Sequence, residues 1–309
     1  MMTGQRRIGS GFDAGSTASD VLAGVDLRGK LALVTGGYSG LGLETTKALS
    51  AVGAHVVVPA RRPEVAAKAL PGVEVGRLDL ADQDSVRTFA EDFLASGRGI
   101  DLLIGNAGIM ACPETRVGPG WEAQFAINHL GHHALVNLLW PAVRPGARVV
   151  MVSSRGHHFS GIRWDDVHFE HGYDKWLAYG QAKTANVLFA VHLDTLARDR
   201  GVRAFAVHPG RIRTELGRHL TREDFAGFDG DDAGYRSPEQ GAATQVWAAT
   251  SPRLDGMGGL YCEDCDIAEP APAEGEWTGV REHAIDPEQA ARLWTLSAEL
   301  TGLDRLSRP

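Results

Sequence analysis

The sequence predicts an α/β fold: a single doubly wound domain, with a parallel sheet of about seven strands and helices on both faces. Three observations carry that expectation. Short apolar runs alternate with longer helical segments along most of the chain, several runs are continuous Val/Leu/Ala stretches, and a glycine-rich turn joins the first run to the first helical segment. Continuous apolar runs suit strands covered on both faces. Strand–helix alternation implies parallel pairing, because a crossover must carry the chain back to the same edge of the sheet.

Residues 1–27 are rich in Gly, Ser, Ala and Asp, and read as an N-terminal extension, loose or draped over a catalytic domain spanning 28–309. Strands are expected over 31–35, 55–60, 73–78, 101–104, 148–152 and 202–207, and helices over 42–52, 85–94, 121–139 and 178–200. Residues 211–235 are polar and Gly-rich, and are expected to form an irregular substrate lobe at the carboxyl edge of the sheet. Two late helices are marked by caps. Ser237-Pro238-Glu239-Gln240 offers an N-cap, a first-turn proline and a reciprocal Gln, and Asp286-Pro287-Glu288-Gln289 repeats the device. The second helix, in a C-terminal segment of about 266–309, is expected to end near Leu300, with Gly302 beyond it.

Composition bounds the function. The chain of 309 residues has 31 basic and 39 acidic side chains, a formal charge of −8 that argues against a nucleic-acid or anionic-membrane surface. Cys112, Cys262 and Cys265 are too few for a disulfide framework. The Cys262-x-x-Cys265 pair lacks the second ligand pair of a zinc site and is expected to be structural. No apolar run follows Arg6 and Arg7, and none reaches the roughly 18 residues of a membrane span, so a cytoplasmic protein is expected.

Directly after the first strand stands Thr35-Gly36-Gly37-Tyr38-Ser39-Gly40-Leu41-Gly42. Glycines there permit a tight turn and close approach of backbone to a pyrophosphate, whose charge then sits on the helix N-terminus, as in Rossmann-type folds. Where an NAD enzyme usually ends its second strand with an acidic residue, this chain has Arg61-Arg62. Guanidinium forks match a 2′-phosphate, so NADP(H) is expected and NAD(H) is less favoured. Asp79-Leu80 after the third strand is placed beside the adenine, and Asn106-Ala107-Gly108 after the fourth beside the cofactor ribose.

The chemistry points to Tyr179-x-x-x-Lys183. Its i, i+4 spacing puts both side chains on one helix face. The ammonium is expected to lower the phenol pKa, so that Tyr179 exchanges a proton with a carbonyl or alcohol oxygen, while Lys183 also holds the nicotinamide ribose. Ser153-Ser154 ends the fifth strand, where a hydroxyl stabilises charge on the substrate oxygen. Asn128 is a mediocre helix former inside an apolar helix, which invites a functional reading.

Together these residues resemble the short-chain dehydrogenase/reductase family over about residues 28–260, and Ile127-Asn128-His129-Leu130-Gly131-His132 and Val207-His208-Pro209-Gly210 resemble its retinol-dehydrogenase-like subgroup. The resemblance implies a catalytic tetrad of Asn128, Ser154, Tyr179 and Lys183. Ser154 is preferred over Ser153 for its 25-residue separation from Tyr179. Asn128 would hold a water linking Lys183 to solvent. Cofactor contacts would come from Gly36, Tyr38, Ser39, Gly40, Leu41, Gly42, Arg61, Asp79, Leu80, Asn106, Ala107, Gly108, Tyr179, Lys183, Pro209, Gly210, Ile212 and Thr214, with Ile212 and Thr214 at the nicotinamide amide. Gly105 departs from the family, which often has Asn there.

His129, His132 and His133 share helical spacing that could suggest metal ligands, but the same segment recurs in metal-free relatives and the Tyr–Lys mechanism needs none, so no metal is expected. His157 and His158 are candidates for the pocket lining. The expected function is NADP(H)-dependent hydride transfer between nicotinamide and a small-molecule carbonyl or alcohol substrate, by a homo-oligomer (dimer or tetramer). The alternatives are reduction of a carbon–carbon double bond and a catalytically silent dinucleotide sensor, for which Tyr179 would be unnecessary.

Overall fold

A computed structural model describes residues 4–224, 234–272 and 277–307. Eight strands form the main sheet: β1 Leu31–Val34, β2 His55–Ala60, β3 Glu74–Arg77, β4 Ile100–Gly105, β5 Val143–Val152, β6 Arg203–His208, β7 Leu260–Glu263 and β8 Asp266–Ile267. Their order is β8-β7-β6-β5-β4-β1-β2-β3. Seven run parallel; β8 alone is antiparallel, against β7. Strand order reverses at β1, whose Ala32 pairs with Val56 of β2 on one side and Leu102 of β4 on the other. That reversal opens the crevice in which such sheets bind ligands.

The eighth strand exceeds the expected seven because the β7–β8 turn carries no Asn-Gly signal. It places Asp264 and Cys265 at φ of 53° and 56°, two left-handed residues in a two-residue hairpin turn. Cys262 and Cys265 are free, buried thiols of this hairpin, and burial pushes Cys265 up to about 11.

Alternate residues of β1 serve opposite layers: Leu31 and Leu33 join one apolar cluster with Phe189 and Trp294, Ala32 and Val34 another with Phe205 and Trp247. The helices are α1 Ala18–Val21, α2 Gly40–Ala51, α3 Pro63–Ala69, α4 Gln83–Ala95, a composite α5, α6 Lys175–Ala197, α7 Pro238–Thr250, α8 Glu282–Ile285 and α9 Pro287–Thr301. Composite α5 joins Ala123–Phe125, a π-helical turn Ala126–Leu130 and Gly131–Leu139. It starts two residues later than expected, because Trp121–Glu122 pairs with Arg116–Val117 and the Glu122 carboxylate caps the helix through Gln124 and Phe125 N–H. Helix α6 starts earlier than expected, at the turn capped by Asp174, and gives way after Ala197 to a 3₁₀ turn.

The Ser237 capping box forms in full. At α9 only half of the second device is made: Asp286 caps Glu288 and Gln289 N–H, but the Gln289 side chain accepts from Trp164 Nε1 instead. Gly302 ends the helix at φ 68°.

The N-terminal segment is draped. Gln5 is buried and bonds the carbonyls of Tyr261 and Ala268 at 2.7 and 2.6 Å, while Ile8 and Gly9 N–H donate to Asp266. Ala18, Val21 and Leu22 join the Trp247 cluster. In the expected substrate lobe, Arg211–Ile212 pairs parallel with Tyr235–Arg236, and residues 225–233 lie outside the described residues.

Candidate active site

The glycine turn leaves β1 with Gly36 at φ 64° and enters α2 at Gly40, φ 51°. A Cβ on Gly42 would run into the Gly36 carbonyl and stand 2.6 Å from Asn106 Nδ2; one on Gly37 would meet Thr46 Oγ1 at 2.6 Å. Side chains are thus excluded by the fold itself, leaving bare backbone at the mouth of α2. Its N-cap, Ser39, makes no side-chain cap hydrogen bond, so the first amides of this 12-residue helix are not taken up by it. Both features fit a pyrophosphate.

Behind the turn, Asn106 Nδ2 donates to the Thr35 carbonyl at 2.9 Å, and the Thr35 hydroxyl accepts from Asn106 and Ala107 N–H, both at 3.0 Å. That oxygen, with both lone pairs used, donates to His132 Nε2 at 2.9 Å, while His132 Nδ1 donates to the Asn128 carbonyl at 3.0 Å. Burial lowers the His132 pKa to about 4, consistent with this neutral tautomer. This bridge joins residues 97 positions apart and has no local signal in the sequence. Gly105 leaves room for Met151 and His132, 2.7 and 3.2 Å from where its Cβ would stand.

Arg61 and Arg62 stand exposed just past the end of β2, where the Arg62 carbonyl accepts from Val65 and Ala66 N–H at the start of α3 and both guanidiniums face solvent. Asp79 accepts from Ala81 N–H at 3.0 Å. Leu80 is less available than expected: its side chain is buried in the core, pressed on Gly131 of α5. Thr214 lies against Gly40, 3.4 Å from its Cβ position, and Ile212 meets Leu41 over Gly241, so the start of the lobe folds onto the glycine turn beside Tyr38 and Ser39. Gly210, at φ 98° after Pro209, makes room for the Arg236 side chain.

The reaction centre gathers at the ends of β4 and β5. Lys183 is 4% exposed and donates from Nζ to the Val152 carbonyl at 2.9 Å. Its Nζ lies 5.6 Å from the Tyr179 ring centroid. Ser153 turns inward, to the Lys183 carbonyl at 2.8 Å, whereas the Ser154 hydroxyl accepts from Gly156 N–H and lies with the Tyr179 ring at the Cβ position of Gly156, 3.4 Å from it. Asn128, in the π-turn, clamps Ile109 with both amide atoms at 2.8 and 3.0 Å, and its Oδ1 lies 3.0 Å from the Cβ position of Gly108, where Lys183 Nζ lies at 3.7 Å. A π-turn in a helix is frequent at functional sites, and it explains why an Asn suits this helix. Gly156 lets the Tyr179 ring pack within 2.6 Å of its Cβ position; sequence reasoning overlooked this glycine.

One expectation is corrected. The phenol of Tyr179 is not lowered: burial raises it to about 12, partly offset by Ser154. Burial also lowers Lys183 to about 8. Desolvation outweighs the pairing that the i, i+4 spacing suggested.

His129 bonds Ser297 at 2.7 Å and His133 bonds Thr301 at 3.3 Å, so both tie α5 to α9. Among the described residues no group of three His, Cys, Asp or Glu is placed to hold a metal.

A family profile for short chain dehydrogenase matches residues 30–224. The chain belongs to the short-chain dehydrogenase/reductase family. This oxidoreductase is 39% identical over 311 residues to short-chain dehydrogenase/reductase prx1 of Penicillium roqueforti, covering 94% of this chain and 92% of that one. It is 36% identical over 295 residues to retinol dehydrogenase 12 of Homo sapiens, covering 90% and 88%. A crystal structure of an uncharacterized protein from Mycobacterium paratuberculosis superposes with a TM-score of 0.74 at 34% identity, covering 94% and 98%. As a short-chain dehydrogenase/reductase the chain is an NAD(P)-dependent enzyme acting on small molecules.

Proposed function

We propose that this short-chain dehydrogenase/reductase uses NADP(H) to interconvert a carbonyl compound and its alcohol, with Tyr179, Ser154, Lys183 and Asn128 as the reacting constellation. The observation that carries this reading is the Ser154 hydroxyl and the Tyr179 ring gathered on Gly156, 3.4 and 2.6 Å from its Cβ position, beside buried Lys183, at the edge where Gly36, Gly37 and Gly42 bare their backbone. Bound at that edge, the reduced cofactor supplies a hydride to the carbonyl carbon. Arg61 and Arg62 would hold its 2′-phosphate, and the α2 N-terminus its pyrophosphate. Tyr179, with a pKa near 12, carries its proton at neutral pH and gives it to the substrate oxygen, while Ser154 donates a hydrogen bond to the same oxygen. Lys183, still mostly cationic at pH 7, stabilises the phenolate left behind, and Asn128 keeps the 108–109 backbone against it.

The test is a panel of benzaldehyde, acetophenone and all-trans-retinal, each with NADPH and with NADH. Turnover with NADPH at least tenfold above NADH in kcat/KM is expected for at least one member. An equal preference overturns the NADP(H) assignment, and binding of NADPH without turnover on this or a wider carbonyl panel overturns the carbonyl reaction.

A further inference from the structure

The mechanism leaves one buried, hydrogen-bonded group unused. His157 lies three residues past Ser154 in the 3₁₀ turn Arg155–His158 and is 0% exposed. Its Nδ1 faces the Ser154 carbonyl at 2.7 Å and so carries the proton; its Nε2 accepts the Arg281 N–H at 3.1 Å. One neutral imidazole therefore spans from the serine to a segment 124 residues away. That segment grips the turn at three further points. His283 Nε2 donates to the His157 carbonyl at 3.1 Å, His158 Nε2 donates to the Gly279 carbonyl at 3.1 Å, and Arg281 Nε donates to His158 Nδ1 at 3.1 Å. Gly279 N–H is in turn held by Glu263, whose other oxygen meets Arg155. The Tyr261 ring closes the far side of His157 at 5.0 Å.

Besides the imidazole, the Ser154 carbonyl accepts only the His157 backbone N–H at 3.1 Å, a bond within the same short turn. Ser154 sits as N-cap at the end of a strand, and its hydroxyl accepts from Gly156 N–H close to the Tyr179 ring. A hydroxyl on a short turn keeps a productive rotamer only if its backbone is fixed, and misplacement of a reacting group is costly in rate. We propose that His157 is a positioning residue for Ser154: it locks the serine's carbonyl to the C-terminal segment 279–283 and so fixes the hydroxyl that meets Tyr179. His157 is thus not part of the pocket lining expected from sequence. The inference rests on the Ser154 role proposed above.

A double-mutant cycle on the best-turned-over member of the carbonyl panel tests it. His157→Phe is expected to lower kcat about tenfold with NADPH affinity unchanged, and Ser154→Ala about a hundredfold. Ser154→Ala/His157→Phe is expected to match Ser154→Ala alone, because the histidine has nothing left to position. Multiplying effects overturn the His157 role while leaving the serine's intact. An active Ser154→Ala overturns the serine assignment, and this inference with it. Should His157→Phe fail to fold, two polar variants decide. Asn places an N–H where Nδ1 stood and is expected to recover most of the kcat lost in Gln, which reaches only the Nε2 position; equal kcat in the two overturns the proposal.

Discussion

The two halves of this molecule that meet at Tyr179 are built by different means. The half formed by the carboxyl ends of β1, β2 and β4 is made of backbone. Gly36, Gly37 and Gly42 sit where any Cβ would strike a neighbour, and each bond from Thr35 to Asn106 or Ala107 sets a main-chain group against a short side chain. The half that joins the β5–α6 connection to the chain after β6 is made of side-chain clasps between residues far apart in sequence: His157 with Arg281, Arg155 with Glu263, Lys175 with Asp224. A backbone site needs particular residue types at fixed spacing, because only those types leave the space. A clasped site needs complementary partners wherever the chain happens to pass. Damage to the first half should therefore read out in cofactor affinity, and damage to the second in stability and in substrate terms.

The largest effect is expected at the junction. Tyr179→Phe removes the proton donor while keeping the ring that packs on Gly156, so turnover of any panel substrate should fall about 10³–10⁴-fold. NADPH affinity should fall no more than a few-fold, because one neutral hydrogen bond from the phenol to the cofactor is worth only about 1 kcal/mol, and the thermal midpoint should stay where it was. Residual turnover within tenfold of the parent would put the proton on another group.

Next comes acid sensitivity of the clasped half. His129, His132 and His133 are buried where α5 meets α9 and the turn of β1. Burial lowers all three, His132 to about 4 and His133 to about 3. Their folded values lie below the ordinary 6.5, so the unfolded chain takes up protons first. The stability they confer is complete above pH 6.5 and is lost as pH falls from there toward 4 and 3. Each histidine contributes at most about 1.4 kcal/mol per pH unit, or about 2.7 kcal/mol for His133 by pH 4.5. Glu74, held near 2 mainly by its hydrogen bonds with Arg98, adds loss only below its ordinary 4.5. Urea midpoints of the parent and His133→Phe, compared at pH 7 and 4.5, should show a shallower fall in the variant. Parallel falls would mean that the buried imidazole takes up no fewer protons than the unfolded one.

How legible each half was in the sequence follows from the same contrast. The glycine turn, Asn106-Ala107-Gly108 and Tyr179-x-x-x-Lys183 are local patterns, and the structure brings them to one edge of the sheet. The parallel order of the strands was equally readable, because Val and Leu runs covered on both faces admit few other arrangements. What escaped was of two kinds. The β7–β8 hairpin uses left-handed Asp264 and Cys265, and Cys stands where Gly usually completes the Asp-Gly signal of such a turn. The bridges of His132 to Thr35 and of His157 to Arg281 join residues 97 and 124 positions apart, and no spacing rule reaches that far. The Tyr179 pKa was misjudged because spacing shows a charge pair but not the burial that outweighs it.

Within the backbone half, Arg61→Ala tests which cofactor the turn was shaped for. Charge-assisted bonds to a phosphate are worth about 1.5–3 kcal/mol, so NADPH dissociation should rise about 10- to 100-fold, with NADH little changed. Removing Arg62 as well should add to the loss. An equal weakening of both cofactors would mean that Arg61 serves the turn's structure and not the 2′-phosphate.

The smallest effect belongs to the clasp of the substrate lobe. Asp224 receives Lys175 Nζ at 2.6 Å and Trp176 Nε1 at 3.2 Å, both from the first turn of α6, one turn ahead of Tyr179. It also caps Thr221, so a single carboxylate ties the lobe to the catalytic helix. Lys175 keeps 28% of its side-chain surface in solvent, which holds the ion pair to at most about 1 kcal/mol. Asp224→Asn keeps one oxygen to accept from Thr221, and removes the charge together with the acceptor for Trp176. The thermal midpoint should therefore drop by no more than a few degrees. KM for the carbonyl should rise a few-fold, kcat and NADPH affinity should stay, and the KM difference should shrink in high salt as the parent's own ion pair is screened. A loss of NADPH affinity instead would mean that the lobe is coupled to the glycine turn through Ile212 and Thr214 more tightly than to α6, and the division between the two halves would fail at that seam.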